Sequence, residues 1–420
     1  MKNLLCCAMV CLLGVPCGGW AGESSAVPRQ IWPQWRGPTR DGKIEGAAWP
    51  DRLAGEALQL RWRVPLGPSY SGPIVAESLV FTTETKDKSR EIVHAFDRAT
   101  GEQRWEAAWD GALSVPYFAK SNGDWIRSTP AYDGEHLYVA GMRDVLVCLH
   151  AATGKVVWQF DFVKELKSPL PAFGFVCSPL IDGDFVFVQA GAAVCKLDKR
   201  TGKLLWRAME DGGGMWGSAF SSPIIREVAG RKQLLTQSRE QLAGIDVESG
   251  KVLWSEKIPA FRGMNILTPT VHGDSIFTSS YGGKSLLFKI ARTGEELSVR
   301  EEWVNKSAGY MSTPVVIDGH AYMHLQNQRF TCIELTTGKT CWTTTPFGKY
   351  WSLVASGDRI LALDERGELL LIRATPEKFA KLDSRKISDD PTWAHLAVCG
   401  DELFVREQNA LAVYQWSRKP

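Results

Sequence analysis

Short apolar runs rich in Val, Ile, Phe and Tyr follow one another along most of the chain, separated by Asp-Gly and Gly-Asp pairs. Phe185-Val186-Phe187-Val188, entered through Asp182-Gly183-Asp184, is representative. Runs of this length and composition between turn residues predict strands joined by tight hairpins. Two sequence blocks recur among them. The first reads apolar–acidic–x–x–Thr–Gly–(Lys/Glu)–x–x–Trp and appears at Phe96-Asp97…Thr100-Gly101…Trp105, Leu149…Thr153-Gly154…Trp158, Leu197-Asp198…Thr201-Gly202…Trp206, Ile245-Asp246…Ser249-Gly250…Trp254 and Thr337-Gly338…Trp342. A degenerate copy has Thr293-Gly294 with Ser298 in the Trp position. Successive glycines lie 53, 48, 48, 44 and 44 residues apart. The second block is Ser/Thr-x-Pro before an apolar run, as in Ser71-Gly72-Pro73, Ser128-Thr129-Pro130, Cys177-Ser178-Pro179, Ser221-Ser222-Pro223, Leu267-Thr268-Pro269 and Ser312-Thr313-Pro314. Proline suits a strand start, where no ladder N–H is required.

Each unit therefore holds about four short strands, the repeat of a β-propeller blade. Trp351-Ser352-Leu353-Val354 opens a seventh unit, and an eighth runs from Trp393 to Val413-Tyr414. The eighth lacks a fourth strand, which Leu60-Arg61-Trp62-Arg63-Val64 is expected to supply, closing the ring and removing free sheet edges. The reading is all-β: eight antiparallel four-stranded blades, rather than seven, over residues 59–417. In the first block, Gly supplies the positive φ of a tight turn, while Asp and Thr bond its backbone. The tryptophan then falls on the outermost strand, so Trp62, Trp105, Trp158, Trp206, Trp254 and Trp342 are expected to dock each blade on its neighbour.

The N-terminus sets the compartment. One Lys, an apolar run from Leu4 to Val15, and Gly19-Trp20-Ala21 form a secretory-signal pattern over residues 1–21. An uncleaved anchor would want about 20 apolar residues. Gly14-Val15-Pro16 before Cys17 does not make a lipobox. Residues 22–58 form a lead-in, and no later segment is long and apolar enough to span a bilayer. The expectation is an exported, monomeric protein in the periplasm or envelope of a Gram-negative-type bacterium.

Charge narrows the partners: 49 Lys+Arg against 47 Asp+Glu give a net +2, too little for a nucleic-acid surface. Of the mature cysteines, Cys332 and Cys341 flank a turn and either pair across a hairpin or remain small buried thiols. His320 and His324, about 13 Å apart along one face of a strand, cannot share a metal, so no metal site is expected. Gly212, Gly214 and Gly217 fit G-x-G-x-x-G, but a strand rather than a helix follows, which excludes a dinucleotide site.

The alternation of Ser-x-Pro strands with Asp-x-x-Thr-Gly-Lys-x-x-Trp hairpins, over roughly residues 60–416, resembles the PQQ-like propeller family. The segment Trp32-Pro33-Gln34-Trp35-Arg36-Gly37-Pro38 is similar to the lead-in of its secreted members. That resemblance implies one of two branches, the quinoprotein alcohol dehydrogenases or non-enzymatic relatives like BamB. The dehydrogenases hold PQQ between a Trp floor and a disulfide of adjacent cysteines, with calcium and an Asp base. Here the only adjacent cysteines are Cys6-Cys7, inside the signal, so no catalytic residues and no cofactor are assigned. Gly212-Gly213-Gly214-Met215-Trp216-Gly217 resembles the stretch carrying the Trp floor. A ligand site, if present, belongs on the axis, where Tyr70, Trp125, Arg127, Trp216, Phe220, Met311 and Trp351 precede or open the innermost strands. Aromatic and cationic groups there suit a planar or sugar-like ligand; the alternative is that they pack the funnel. The expected function is a non-catalytic binding or scaffold module of the envelope, with a protein partner or a small planar or sugar ligand. The alternatives are a quinoprotein-type dehydrogenase or PQQ binder, and a carbohydrate-binding propeller.

Overall fold

The computed structural model describes residues 29–46, 49–213, 217 and 219–417; the expected signal of residues 1–21, Trp216, and the central residues of its glycine-rich stretch lie outside them. Eight separate four-stranded antiparallel sheets follow one another around a ring. The first seven are built from consecutive strands, blade 1 for example from Ile74–Val75, Leu79–Lys86, Arg90–Asp97 and Gln103–Asp110. Blade 8 consists of Ala397–Cys399, Glu402–Glu407 and Ala410–Trp416, and its outer strand is β1, Leu58–Pro65, from the other end of the chain. β1 pairs antiparallel from Leu58↔Trp416 to Pro65↔Ala410. The ring closes as expected, with eight blades.

Apolar residues of the two middle strands of each blade face their neighbours, so the core is a series of inter-blade layers. One layer joins Val186, Val188 and Leu197 of blade 3 to Tyr138, Leu146 and Cys148 of blade 2. The Ser/Thr-x-Pro block adds a polar seam inside this core. The Gly72 N–H donates to Thr129 Oγ1 of the next blade at 2.9 Å, Thr129 N–H to Ser178 Oγ at 3.1 Å, and Ser178 N–H to Ser222 Oγ at 2.9 Å. Thr268 N–H to Thr313 Oγ1 (3.1 Å) and Leu396 N–H to Ser352 Oγ (2.9 Å) continue it. Each hydroxyl answers a buried N–H where an innermost strand begins, a donor that would otherwise be unsatisfied. Proline was the visible part of the motif; the hydroxyl beside it links the blades.

In the hairpin block, Asp97 Oδ1 accepts from the N–H groups of Ala99 and Thr100 at 3.0 Å, and Gly101 turns at φ +75°. The Arg104 guanidinium at 2.8 Å, with these turn N–H groups, holds the Asp97 carboxyl down to about 2. Every docking tryptophan sits at a β-bulge of the outer strand, which turns its ring toward the next blade. Trp62, Trp105, Trp158, Trp206 and Trp342 donate Nε1–H to carbonyls of Arg98, Ala151, Lys199, Val247 and Thr375 on the following blade, at 2.9–3.3 Å. Trp254 packs against Ile276 and Phe288 of blade 5, but its Nε1–H goes to Gln233 of its own blade at 2.7 Å. Blade 5 also corrects the alignment of its own hairpin. Its strands Ser285–Thr293 and Glu296–Asn305 are extended, so the docking position falls to Trp303, not Ser298. Trp303 pairs with Leu287 at the bulge and donates to Leu335 O at 2.7 Å, while Ser298 lies further out toward the turn. Trp303→Ala is therefore expected to cost about 3 kcal/mol or more in urea unfolding, against less than about 0.5 kcal/mol for Ser298→Ala. Equal losses would remove this assignment.

Cys332 and Cys341 are both free thiols; Cys332 is buried beside Trp342, and Cys341 is half-buried in the bulge. No helix among the described residues is long and apolar enough to cross a membrane.

Candidate functional site: the two mouths of the channel

The lead-in runs across the mouth where the innermost strands end. Trp32, 1% exposed, exchanges backbone bonds with Val75 at 2.8 and 3.0 Å. The Pro33 carbonyl accepts from Tyr132 N, Gly42 and Ile44 bond Ala355, and the Gln30 side chain accepts from Gly400 N at 2.7 Å. Two arginines reach from this segment up into the channel. Arg36 donates to Thr313 O and Pro314 O at 2.6 Å, and Arg40 to Pro179 O at 2.7 Å and Ser178 O at 3.0 Å. Both are 1% exposed and take left-handed backbone, φ 62° and 55°, a conformation costing a non-glycine residue roughly 1 kcal/mol or more. Trp35 lies between them, with guanidinium carbons 5.6 and 6.0 Å from its ring and the His395 ring edge-on at 5.9 Å. The lead-in is thus a plug tied to seven of the eight blades, blade 4 through Arg226 and Thr39 O. Sequence reading set this segment apart by its similarity to the lead-in of secreted PQQ-like repeat proteins. It carried no signal that Arg36 and Arg40 were the clamps, because their acceptors lie some 140 and 280 residues away in sequence.

The loops entering the innermost strands gather at the opposite mouth. There Tyr70, Trp125 and Arg127 meet: the Tyr70 and Trp125 rings are 5.2 Å apart edge to face, and the Arg127 guanidinium stands 5.3 Å over Tyr70. Arg127 is held by Gly123 O at 2.6 Å, and burial pushes its pKa down and that of the Tyr70 phenol up. Trp393, given no role by sequence, joins them 6.3 Å from Tyr70, and Tyr350 stacks on Trp393 at 5.9 Å. Phe220 contacts Phe173 at 5.7 Å, which leads through Phe118 to the exposed Tyr117. Met311 is half-buried near this mouth. Trp351 is different: it is fully buried against Phe330, Phe347 and His324, at 4.8–5.3 Å, and packs between blades 6 and 7 instead of lining the funnel. It opens an innermost strand, and in a strand alternate side chains face the neighbouring blade rather than the axis. Gly213 and Gly217 line a small cavity of about 20 Å³ with Asp144 and Gln189, enough space for a water. Among the described residues no group of three or more His, Cys, Asp or Glu is placed to hold a metal.

The family model described as "Outer membrane protein assembly factor BamB" matches residues 89–344, more than half of the chain. The chain belongs to this family of PQQ-like repeat propellers. The outer membrane protein assembly factor BamB of Yersinia pestis is 23% identical over 287 residues, covering 66% of this chain and 65% of that relative. Among solved structures, BamB from Moraxella catarrhalis superimposes with a TM-score of 0.60 at 15% identity, over 86% of this chain and 99% of that one. Quinohemoprotein alcohol dehydrogenase from Comamonas testosteroni gives 0.63 at 14% identity, over 94% and 82%. These superpositions establish the shared ring and nothing of the chemistry.

In this BamB-family propeller the plug residues Trp35 and Arg36 lie against an acid-sensitive group at the start of blade 8, His395. Burial, and then the adjacent Arg36 charge, push His395 down to about 3. A histidine depressed in the fold contributes stability that is complete above its unfolded pKa of about 6.5 and is lost as pH falls toward the folded value. Glu91 and Asp144, raised by burial to about 7, act in the opposite sense, losing stability as pH rises toward 7. The test is therefore a difference. His395→Asn is expected to lose less stability than the parent between pH 6.5 and 4, by roughly 2–3 kcal/mol. Parallel pH profiles would show that His395 is not depressed.

Proposed function

We propose that this chain is an exported, non-catalytic propeller of the cell envelope that binds a protein partner through its aromatic mouth. The observation carrying this reading is the asymmetry of the channel. The lead-in covers one mouth, while Tyr70, Trp125, Arg127 and Trp393 cluster at the other, with Tyr117 and Phe118 exposed beside them. Aromatic and arginine side chains are the groups that dominate protein interfaces. Family membership and relatives named outer membrane protein assembly factors support a role in envelope assembly. With no adjacent cysteines in the mature chain, PQQ is not a resident cofactor in this reading. A photo-crosslinking residue at Trp125 or Phe118 is expected to capture an outer-membrane assembly component in the native host, while one at Val157 on the outer rim does not.

The second reading, a planar-ligand site, is favoured by the Arg127–Tyr70–Trp125 stack, which suits a PQQ-like or sugar ring. It requires a higher melting temperature with PQQ and calcium and dye-linked alcohol oxidation, or glycan binding lost in Trp125→Ala. Flat titrations with all of these leave the partner-binding reading.

A further inference from the structure

The plug leaves a gap over blades 4 to 6 where positive charge converges. A cavity of about 40 Å³ is lined by Arg36, Arg40, Lys43 and Arg226, by Asp41, and by Thr268, Thr270 and Thr313. Its walls thus carry four cations and a single carboxylate. Asp41 lies 3.9 Å from Arg226 and spends one oxygen on Thr39 Oγ1 (2.7 Å) and Lys43 N (3.0 Å). Arg36 and Arg40 are bound by neutral acceptors: backbone carbonyls and, for Arg40, the Gln34 side chain. Such acceptors satisfy N–H groups without cancelling charge. The Nε–H groups of both buried arginines have no acceptor at all. Desolvation lowers both guanidiniums to about 10, and for Arg40 the charges of Arg226 and Arg36 add to the effect. Buried like charges are costly unless an opposite charge joins them. The cavity exceeds the space of one water and is rimmed by exposed Lys43 and half-exposed Asp41 and Arg226, so it is reachable from solvent.

We propose that this cavity binds a small oxyanion of the phosphate or sulfate class, held by Arg36, Arg40 and Arg226, which fastens the lead-in plug onto blades 4 to 6. The site lies at the mouth opposite the aromatic cluster and is independent of the partner-binding reading.

The test is calorimetric titration of the mature chain with sodium phosphate and with sodium sulfate at constant ionic strength, with chloride as the control, alongside thermal melting. Saturable binding of one phosphate or sulfate per chain is expected, with a raised melting temperature that chloride does not reproduce. Arg226→Gln removes a charged donor and is expected to weaken binding roughly tenfold. Asp41→Asn removes the only negative wall charge, keeps a side-chain oxygen for Lys43 N, and is expected to tighten binding. If Arg226→Gln does not fold, Lys43→Gln on the exposed rim is expected to weaken binding in the same direction. No saturable binding, an effect matched by chloride, or identical affinities in the parent and the Asp41→Asn and Lys43→Gln variants would overturn the proposal.

Discussion

Gly202→Ala is expected to destabilise the propeller by about 2–5 kcal/mol, and Gly183→Ala by only about 1–2 kcal/mol. Both glycines have positive φ, 72° and 58°, so both substitutions carry the cost of left-handed backbone at a residue with a Cβ. They differ in what that Cβ meets. At Gly202 it would lie 2.6 Å from Cε3 of Trp158, the docking residue of the preceding blade, whereas at Gly183 nothing lies within 4 Å. The Trp158 ring cannot retreat without breaking its 2.9 Å bond to Lys199 O and its packing beside Tyr138. The excess at Gly202 therefore measures the blade-to-blade dock itself. Chemical denaturation of the two variants reads it directly, and equal losses would mean that the tryptophan stack tolerates displacement. The same close approach recurs at Gly101, Gly154, Gly250 and Gly338, facing Trp62, Trp105, Trp206 and Trp303. That recurrence is why the hairpin has Gly where Asn would also satisfy the backbone.

Removing residues 22–65 while keeping residues 1–21 is expected to cost the most. The truncation takes away β1, leaving the outer edge of Ala410–Trp416 unpaired along its whole length. It also deletes the buried side chains of Trp32, Trp49, Leu53 and Leu58, with Trp49 stacked on Trp416 at 5.6 Å. Each such residue is worth about 2–5 kcal/mol, together more than the net stability of most domains. An open, apolar edge strand templates pairing with another chain. The truncated chain is expected to elute as oligomers or aggregate and to melt at least about 10 °C lower, if it melts cooperatively. A monomer with an unchanged melting curve would show that seven blades and three strands close without β1.

The blade count, the closing strand and five of the six assigned tryptophan docks were legible because each depends on local pattern. A hairpin turn is written in a few consecutive residues, and eight near-copies make the register unmistakable. Trp254 was legible as a packing residue against the extended hairpin of blade 5 but not in its hydrogen bond, which goes to Gln233 of its own blade. The same extension hid Trp303: nine residues separate it from Gly294 where the motif has four, and no short-range rule counts across a lengthened hairpin. At the channel, Tyr70 and Arg127 were found because each immediately precedes a Ser-x-Pro block, and Trp125 because it lies two residues before Arg127. Trp393 and Tyr350 escaped because they come from the last two units, where the motif has faded. Trp351 was assigned to the funnel by its position before a strand, and its burial between Phe330 and Phe347 turned on which way one side chain points.

By itself the sequence determined a closed eight-bladed ring docked by tryptophans, because periodic turn and strand signals act over a few residues and repetition averages out their errors. Only the tertiary structure decided how the channel is used: which mouth the lead-in covers, and that Arg36 and Arg40 clamp it from inside. It also decided that four cations converge on one small cavity and that the aromatic cluster lies at the other end. These are meetings of residues from different blades, and such contacts are set by closure of the ring rather than by any local pattern.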